Sequence, residues 1–383
     1  MVNKINPTDI FGKDYSEFSE TDPFNSTNKV KGFICHKQTQ YYGALIITHI
    51  NDIEVDHQLI MATPKMHYPF GITDSGERKY NFPPAKSIEV YEKLDGTNIL
   101  AYLYTNETEK FVSFKTRLRP FVTSSKFGNF YDMWLEVYES YRHTIERMIE
   151  FYNCNLSFEL YGAKNPHLIF YKEPLTLALL FGITNTGKIL TPIELSVDSF
   201  SQHPPEAPFI ASMHRGDNFI DEYNSIRQTI STNLHKLDDN KLSGMEGAVW
   251  YLHTEEDLVI QFKCKPEEIE EIHWANSSLS LKLVMSACWK VLENYSELNE
   301  KNLLEILHED YSDNEIAKAK NIISEAITTI NEENEFKHQV LFEYKALNIS
   351  IIDHKAEVMR TLSSKFQRNL MTKVYNIISS KNK

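Results

Sequence analysis

Lys93 closes the segment Ser87-Ile88-Glu89-Val90-Tyr91-Glu92-Lys93, in which Ile88 and Val90 alternate with Glu89 and Tyr91. Such alternation reads as a strand and puts Lys93 on the face opposite the two aliphatic residues. Asp95-Gly96 then turns the chain, so the lysine stands at a strand end beside a tight turn. An amine placed there and kept neutral by burial or neighbouring cations is a nucleophile; on an open hairpin it is an ordinary solvated lysine.

Four further segments bear on that choice. Lys115-Thr116-Arg117-Leu118-Arg119 reads as a basic strand soon after Lys93. In Phe158-Glu159-Leu160-Tyr161-Gly162, Glu159 and Tyr161 share a face while Phe158 and Leu160 pack behind. Glu246-Gly247-Ala248-Val249-Trp250 is a second acidic strand, whose glycine permits close approach of a ligand or backbone. Gln261 to Lys265 puts Lys263 and Lys265 on one face and Phe262 and Cys264 on the other, a pattern that fits either a solvated face or a pair of phosphate ligands. His67, His167 and His273 are scattered and read as surface or core residues. The chain contains neither a Gly-x-x-x-x-Gly-Lys-Ser/Thr loop nor a His-Glu-x-x-His zinc pattern.

Taken in order, Lys93-Leu-Asp-Gly, Thr116-Arg117, Phe158-Glu159-Leu-Tyr-Gly, Glu246-Gly-Ala-Val and Lys263-Cys-Lys265 resemble motifs I, Ia, III, IV and V of the covalent nucleotidyltransferases. That superfamily comprises DNA ligases, RNA ligases and mRNA capping enzymes. The apolar run ending at Phe181-Gly182-Ile183 stands where motif IIIa belongs, with Gly182 in place of its usual acid. The resemblance covers roughly residues 60–266. Asp95-Gly96-Thr97-Asn98 extends motif I as in RNA ligases, and Ala62-Thr63-Pro64-Lys65-Met66 is similar to the segment before the nucleophile in phage tRNA-repair and archaeal RNA-circularising ligases.

The resemblance implies an ATP-dependent RNA ligase. Lys93 would take AMP from ATP and pass it to an RNA 5′-phosphate, and a 3′-hydroxyl would then displace AMP. Lys263 and Lys265 would hold the α-phosphate. Glu246 would bind Mg2+ or Mn2+, directly or through water. Glu159 would take the ribose hydroxyls and Phe181 would stack on adenine, core packing being the other reading of that ring. The Glu92 backbone would frame the adenine, with Asp95 and Gly96 completing the nucleotide-binding turn. Asn98 would serve sealing. Arg117 would grip a phosphate bidentately, with Arg119 and Lys115 as secondary choices that an outward-facing strand explains equally well. Partners would be ATP and RNA ends, nicked tRNA among them. DNA nick sealing, capping-type guanylyl transfer and a non-catalytic RNA-binding relative are the alternatives. The intact set Lys93, Glu246, Lys263 and Lys265 argues against the last.

These residues need a scaffold. At 383 residues the chain exceeds what one hydrophobic core usually serves. The expected fold class is α+β: a nucleotidyltransferase (ATP-grasp-like ligase) domain of antiparallel sheets with flanking helices over residues 1–268, including an N-terminal extension at 1–60, and an all-α domain over 269–383. Short strands are expected at Ala44–Ile47 and Leu59–Met61, a helix around Tyr131–Tyr152, and a strand buried on both faces at Leu175–Ile183. After Pro266 proline disappears and three apolar stripes recur at helical spacing. They run from Leu281 to Leu292, from Ile316 to Ile330 behind a capping box at Ser312 and Glu315, and from Val358 to Leu370. The basic last thirty residues suit either an RNA backbone or the helix macrodipole.

A net charge of −13 argues against sequence-blind nucleic-acid coating and leaves room for a local basic site. Cys35, Cys154, Cys264 and Cys288 form no Cys-x-x-Cys pair, which favours free thiols in a reducing compartment. With neither a signal-like N-terminus nor a membrane-spanning run, a soluble cytoplasmic protein is expected.

Overall fold

The structure, a computed structural model, describes residues 2–37, 39–72, 77–106, 109–122, 124–125, 128–196, 202–238, 241–266, 269, 279, 281–295, 297–307, 316–317, 319–352 and 354–381. The chain divides into two compact units: residues 1–123 with 129–273, and residues 124–128 with 274–383. The sequence places a boundary at 268, and nothing in it signals that the short 124–128 segment groups with the second unit.

The first unit is built on three antiparallel sheets. The N-terminal extension is itself a meander of Tyr15–Thr21, Lys29–Cys35, Leu45–Ile50 and Ile53–Ile60. A second sheet runs in the order Ile189–Leu190, Thr176–Thr184, Cys154–Tyr161, Thr97–Asn106 and Glu109–Lys115. The third runs Phe209–His214, Ala85–Lys93, Gly247–Thr254 and Val259–Cys264. Every neighbouring pair in both is antiparallel.

The second and third sheets share one core. Tyr91, Val249 and Tyr251 from the third meet Leu100, Ala178, Phe181 and Ile183 from the second, with Met61 and Ala62 beside them. Strict alternation would turn Phe181 to the same side as Leu177 and Leu179. A register shift opposite Ser157 and Phe158 leaves Leu180 unpaired and swings Phe181 into the inter-sheet core.

The far face of the second sheet is covered by two helices, Phe130–Tyr138 and Arg142–Tyr152, where the sequence suggests one. Tyr141 leaves the helical region at φ −117° and ψ 1°. The break lets both apolar stripes, Trp134 with Tyr138 and Ile145 with Met148, join the same core. Helix Phe219–Thr232 covers the far face of the third sheet through Tyr223 and Ile230.

In the second unit, the described regular elements between 281 and 381 are helical: Leu281–Asn294, Glu300–Leu307, Lys320–Leu347, Lys355–Leu362 and Met371–Lys381, with a 3-10 turn at Arg368–Leu370. The third stripe is therefore not one helix. Gln367 is extended, and Val358, Leu362 and Phe366 meet Val374 and Ile378 around a bend. Ser312, Glu315 and His273 lie outside the described residues. Part of the basic tail is neutralised locally. Lys365 pairs with Glu343, Lys373 with Glu333 at 3.1 Å, and Lys355 lies 3.9 Å from the Tyr375 ring.

Candidate active site

Strand register brings the expected residues to one sheet end. Lys93 lies opposite Gly247, and Val249 lies opposite Lys263 on the next strand. Lys93, Lys263 and Lys265 therefore share the inter-sheet side, two residues being one repeat of the pleat. The Gly247 position also explains its residue type: a Cβ there would lie 2.3 Å from the Cys264 carbonyl oxygen.

Glu246 joins the two strands chemically. One of its oxygens binds the Lys93 ammonium and the other binds Lys265 at 2.8 Å. The side chains of Glu246 and Lys265 are 6% and 10% exposed, that of Lys93 21%. Burial acts to raise the Glu246 carboxyl, but Lys265 and Lys93 outweigh it and hold the group well below the ordinary carboxylate range.

The turn after Lys93 is fixed by side chains of the second sheet. Glu159 Oε1 accepts the Gly96 N–H at 3.0 Å. Burial, supported by Glu246 and Asp95, pushes the Glu159 carboxyl up to about 8 against the pull of Lys93. A carboxyl neutral at pH 7 keeps an O–H to donate, which suits a hydroxyl partner such as ribose. Asp95 is raised to about 6 by burial and by Glu246, although Ile169 N–H donates to its Oδ2 at 2.8 Å. Asn98 donates to Ser157 Oγ at 2.9 Å and to the Phe158 carbonyl at 3.1 Å, and Ser157 also contacts Thr63 Oγ1 at 3.1 Å.

Other expected positions differ. Lys263 lies one residue pair farther from the strand end than Lys265, with its ammonium 4.5 Å from the Tyr68 ring centroid. Glu92 donates its N–H to the Pro208 carbonyl at 2.8 Å, so that group is already committed rather than open to adenine. Phe181 is 2% exposed and packs 6.5 Å from Tyr251; the ring is a core residue here and offers no open face to a base. The basic strand ends at Lys115, and Arg117 sits in the following turn with its guanidinium 5.6 Å from the Tyr42 ring. Lys115 does not face outward. It is 0% exposed and donates to the carbonyls of Thr116 and Arg117 at 2.7 and 2.8 Å. Arg119 is also largely buried, its charge acting on Glu20.

Gly182 has a steric cause. A Cβ there would meet Cys154 Sγ at 2.8 Å, with Leu195 and Leu190 next. An acid at this point of motif IIIa would require the Cys154 sulfur to move.

Glu246, the residue expected to bind a divalent ion, is engaged by two lysines in this structure. Both Glu246 oxygens serve lysines, and among the described residues no three His, Cys, Asp or Glu side chains are grouped to hold an ion. A divalent ion would arrive with the nucleotide, carried on its phosphate oxygens.

Sequence reasoning missed several neighbours. Tyr171 OH accepts the Asp95 N–H at 2.9 Å, and His167 Nε2 lies 3.5 Å from Thr97 Oγ1. Both sit in the loop after Tyr161, which has no periodicity to read. Carbonyl pairing with Lys263 brings His67 alongside the basic strand, where burial and then Lys65 and Lys263 lower its basicity. A cavity of about 460 Å3 bordered by Phe24, Phe111, Tyr138 and Arg142 contains none of the residues around Lys93.

No protein-family model matches this sequence, and no curated protein matches it. Among solved structures, the chain resembles an archaeal ATP-dependent RNA ligase in two forms. Form 1 gives 16% identity and a TM-score of 0.46, covering 84% of this chain and 75% of that one. Form 2 gives 14% identity and a TM-score of 0.45, covering 97% and 94%. A lysine mutant of the Naegleria gruberi RNA ligase, solved with ATP and Mn, gives 12% identity and a TM-score of 0.33, covering 68% and 99%. Likenesses at these scores carry no assignment of function.

Proposed function

We propose that this chain is an ATP-dependent RNA ligase that joins 5′-phosphate and 3′-hydroxyl RNA ends through AMP carried on Lys93. The observation that carries the reading is the Glu246 carboxylate shared by Lys93 and Lys265 at adjacent strand ends. With Lys263 on the same side of the sheet, three lysines face the carboxylates of Glu246 and Asp95, which leaves one net positive charge where a polyphosphate would lie. An ammonium has no lone pair, so the Lys93–Glu246 pair must open and Lys93 must release a proton to solvent before it attacks. The amine then bonds to the α-phosphorus as pyrophosphate leaves. Lys265 and Lys263 supply the charge that stabilises the phosphorane oxygens. The neutral Glu159 carboxyl is suited to a ribose hydroxyl, and Arg117 to the incoming 5′-phosphate.

Within RNA ligases, the resemblance of Ala62–Met66 and of the helical stripes after 266 to the phage tRNA-repair type supports that subfamily. Intact mass after incubation with MgATP tests the first step. An added AMP mapping to Lys93 is expected, and AMP still taken up by Lys93→Ala would refute the assignment. Joining assays on RNA and DNA ends, with ATP and GTP labelling compared, separate RNA sealing from DNA sealing and capping chemistry.

A further inference from the structure

The backbone immediately after Lys93 is held from outside its own strand. Two consecutive amides, those of Asp95 and Gly96, donate to Tyr171 OH at 2.9 Å and Glu159 Oε1 at 3.0 Å. The Asp95 carboxylate is tied to the same segment as Tyr171 by the Ile169 N–H. That segment is anchored in turn. Phe170 N–H donates to the Leu242 carbonyl at 2.8 Å, and Leu242 N–H donates to the Leu168 carbonyl at 2.9 Å. Ile169 is buried against Leu242 and Ile269, and the Tyr171 ring lies 4.8 Å from that of Tyr161. Tyr171 is thus a fixed acceptor, with burial and nearby Asp95, Glu92 and Glu246 keeping its phenol un-ionised.

We propose that Tyr171 is a positioning residue for nucleotide transfer to Lys93, its hydroxyl fixing the Asp95 amide and with it the turn that aims the lysine. The role rests on the function proposed above. Tyr171 needs no contact with the nucleotide; it sets where the nucleophile stands. Removing the hydroxyl leaves the ring and its packing, and frees one amide beside the nucleophile. Displacement of a reacting group by about 1 Å costs on the order of 100-fold in rate, so a looser turn should cost about 10- to 100-fold.

The test compares wild type with Tyr171→Phe in single-turnover AMP transfer from MgATP over a range of ATP concentrations. Thermal unfolding and amide hydrogen exchange over residues 93–97 are measured on the same proteins. The expected result is a maximal rate about 10-fold or more below wild type, half-saturation within about twofold, a similar Tm and faster exchange at Asp95. An unchanged maximal rate overturns the proposal. So does a loss carried by half-saturation, which would make Tyr171 a nucleotide contact, or a loss explained by a lowered Tm. Failure of wild type to take up AMP at Lys93 would instead sink the ligase reading. Exchange at Asp95 would still report on the clamp, and equal exchange in both proteins would end it.

Discussion

Lys93 is bound to Glu246, the residue that leads into the neighbouring strand, where Gly247 lies opposite Lys93 in register. Lys93 and Glu246 thus meet because two antiparallel strands end together, and Lys265 closes the group from the third strand.

This sharing makes the three residues unequal. Removing Glu246 leaves two poorly exposed ammoniums without their carboxylate, a change that costs about 3–5 kcal/mol in buried pairs. Removing Lys93 leaves Glu246 with Lys265 and should cost less. Urea unfolding of Glu246→Gln and Lys93→Ala should therefore rank the first as less stable, while both lose AMP transfer. The opposite ranking would mean that Lys265 does not satisfy the acid.

Two carboxyls a short distance apart should respond to pH in opposite senses. Glu246 is held below its ordinary 4.5, so the folded protein binds fewer protons there than the unfolded chain. Its contribution is present above about 4.5 and is lost as pH falls towards the folded value. Glu159 is raised to about 8, so between about 4.5 and about 8 the folded protein holds a proton that the unfolded chain releases. Stability from this group falls as pH rises through that window. Denaturation midpoints for wild type and Glu159→Gln should converge near pH 4.5 and separate towards pH 8, with the variant the flatter of the two. Parallel curves would show that Glu159 titrates normally.

The residues of this cluster could be read where one rule governed them. Period-two alternation assigns faces to Lys93, Glu159, Lys263 and Lys265, and the faces hold in three dimensions. Tyr171 had no such signal, since its bond to Asp95 joins residues 76 apart from within a loop. Lys115 is not legible in this way because its partners are backbone carbonyls, which every sequence supplies. Phe181 was placed in the right strand, but only the unpaired Leu180 decides which side it faces. Helical periodicity likewise located the apolar stripes without revealing the break at Tyr141 or the bend at Gln367.

Asn98 has a structural bond set that explains how a change there would travel. Its amide ties the strand after Lys93 to Ser157 and Phe158, beside Glu159. Loss of two such bonds in Asn98→Ala should cost about 1–2 kcal/mol. Asn98→Asp should cost more, because a carboxylate cannot donate to the Phe158 carbonyl and would face it acceptor to acceptor. Sealing of pre-adenylylated RNA and the unfolding midpoint should fall together across the two variants. A fully stable Asn98→Asp protein would show that the amide bonds do not hold the strand.

Gly182 offers the sharpest packing test. Its missing side chain leaves space that Cys154 Sγ, Leu195 and Leu190 already border, and Cys154 is itself 3% exposed. Gly182→Ala forces a methyl group against a buried sulfur and should destabilise by about 1–3 kcal/mol. Gly182→Asp adds an unpaired carboxylate to the same apolar site and should be worse. If the sulfur is the obstacle, Cys154→Ala should recover much of the Gly182→Ala loss, giving a coupling of about 0.5–3 kcal/mol in a double-mutant cycle by urea denaturation. Simple additivity would place the obstruction elsewhere, and a stable Gly182→Asp protein would restore the acid of motif IIIa as a tolerated residue on this scaffold.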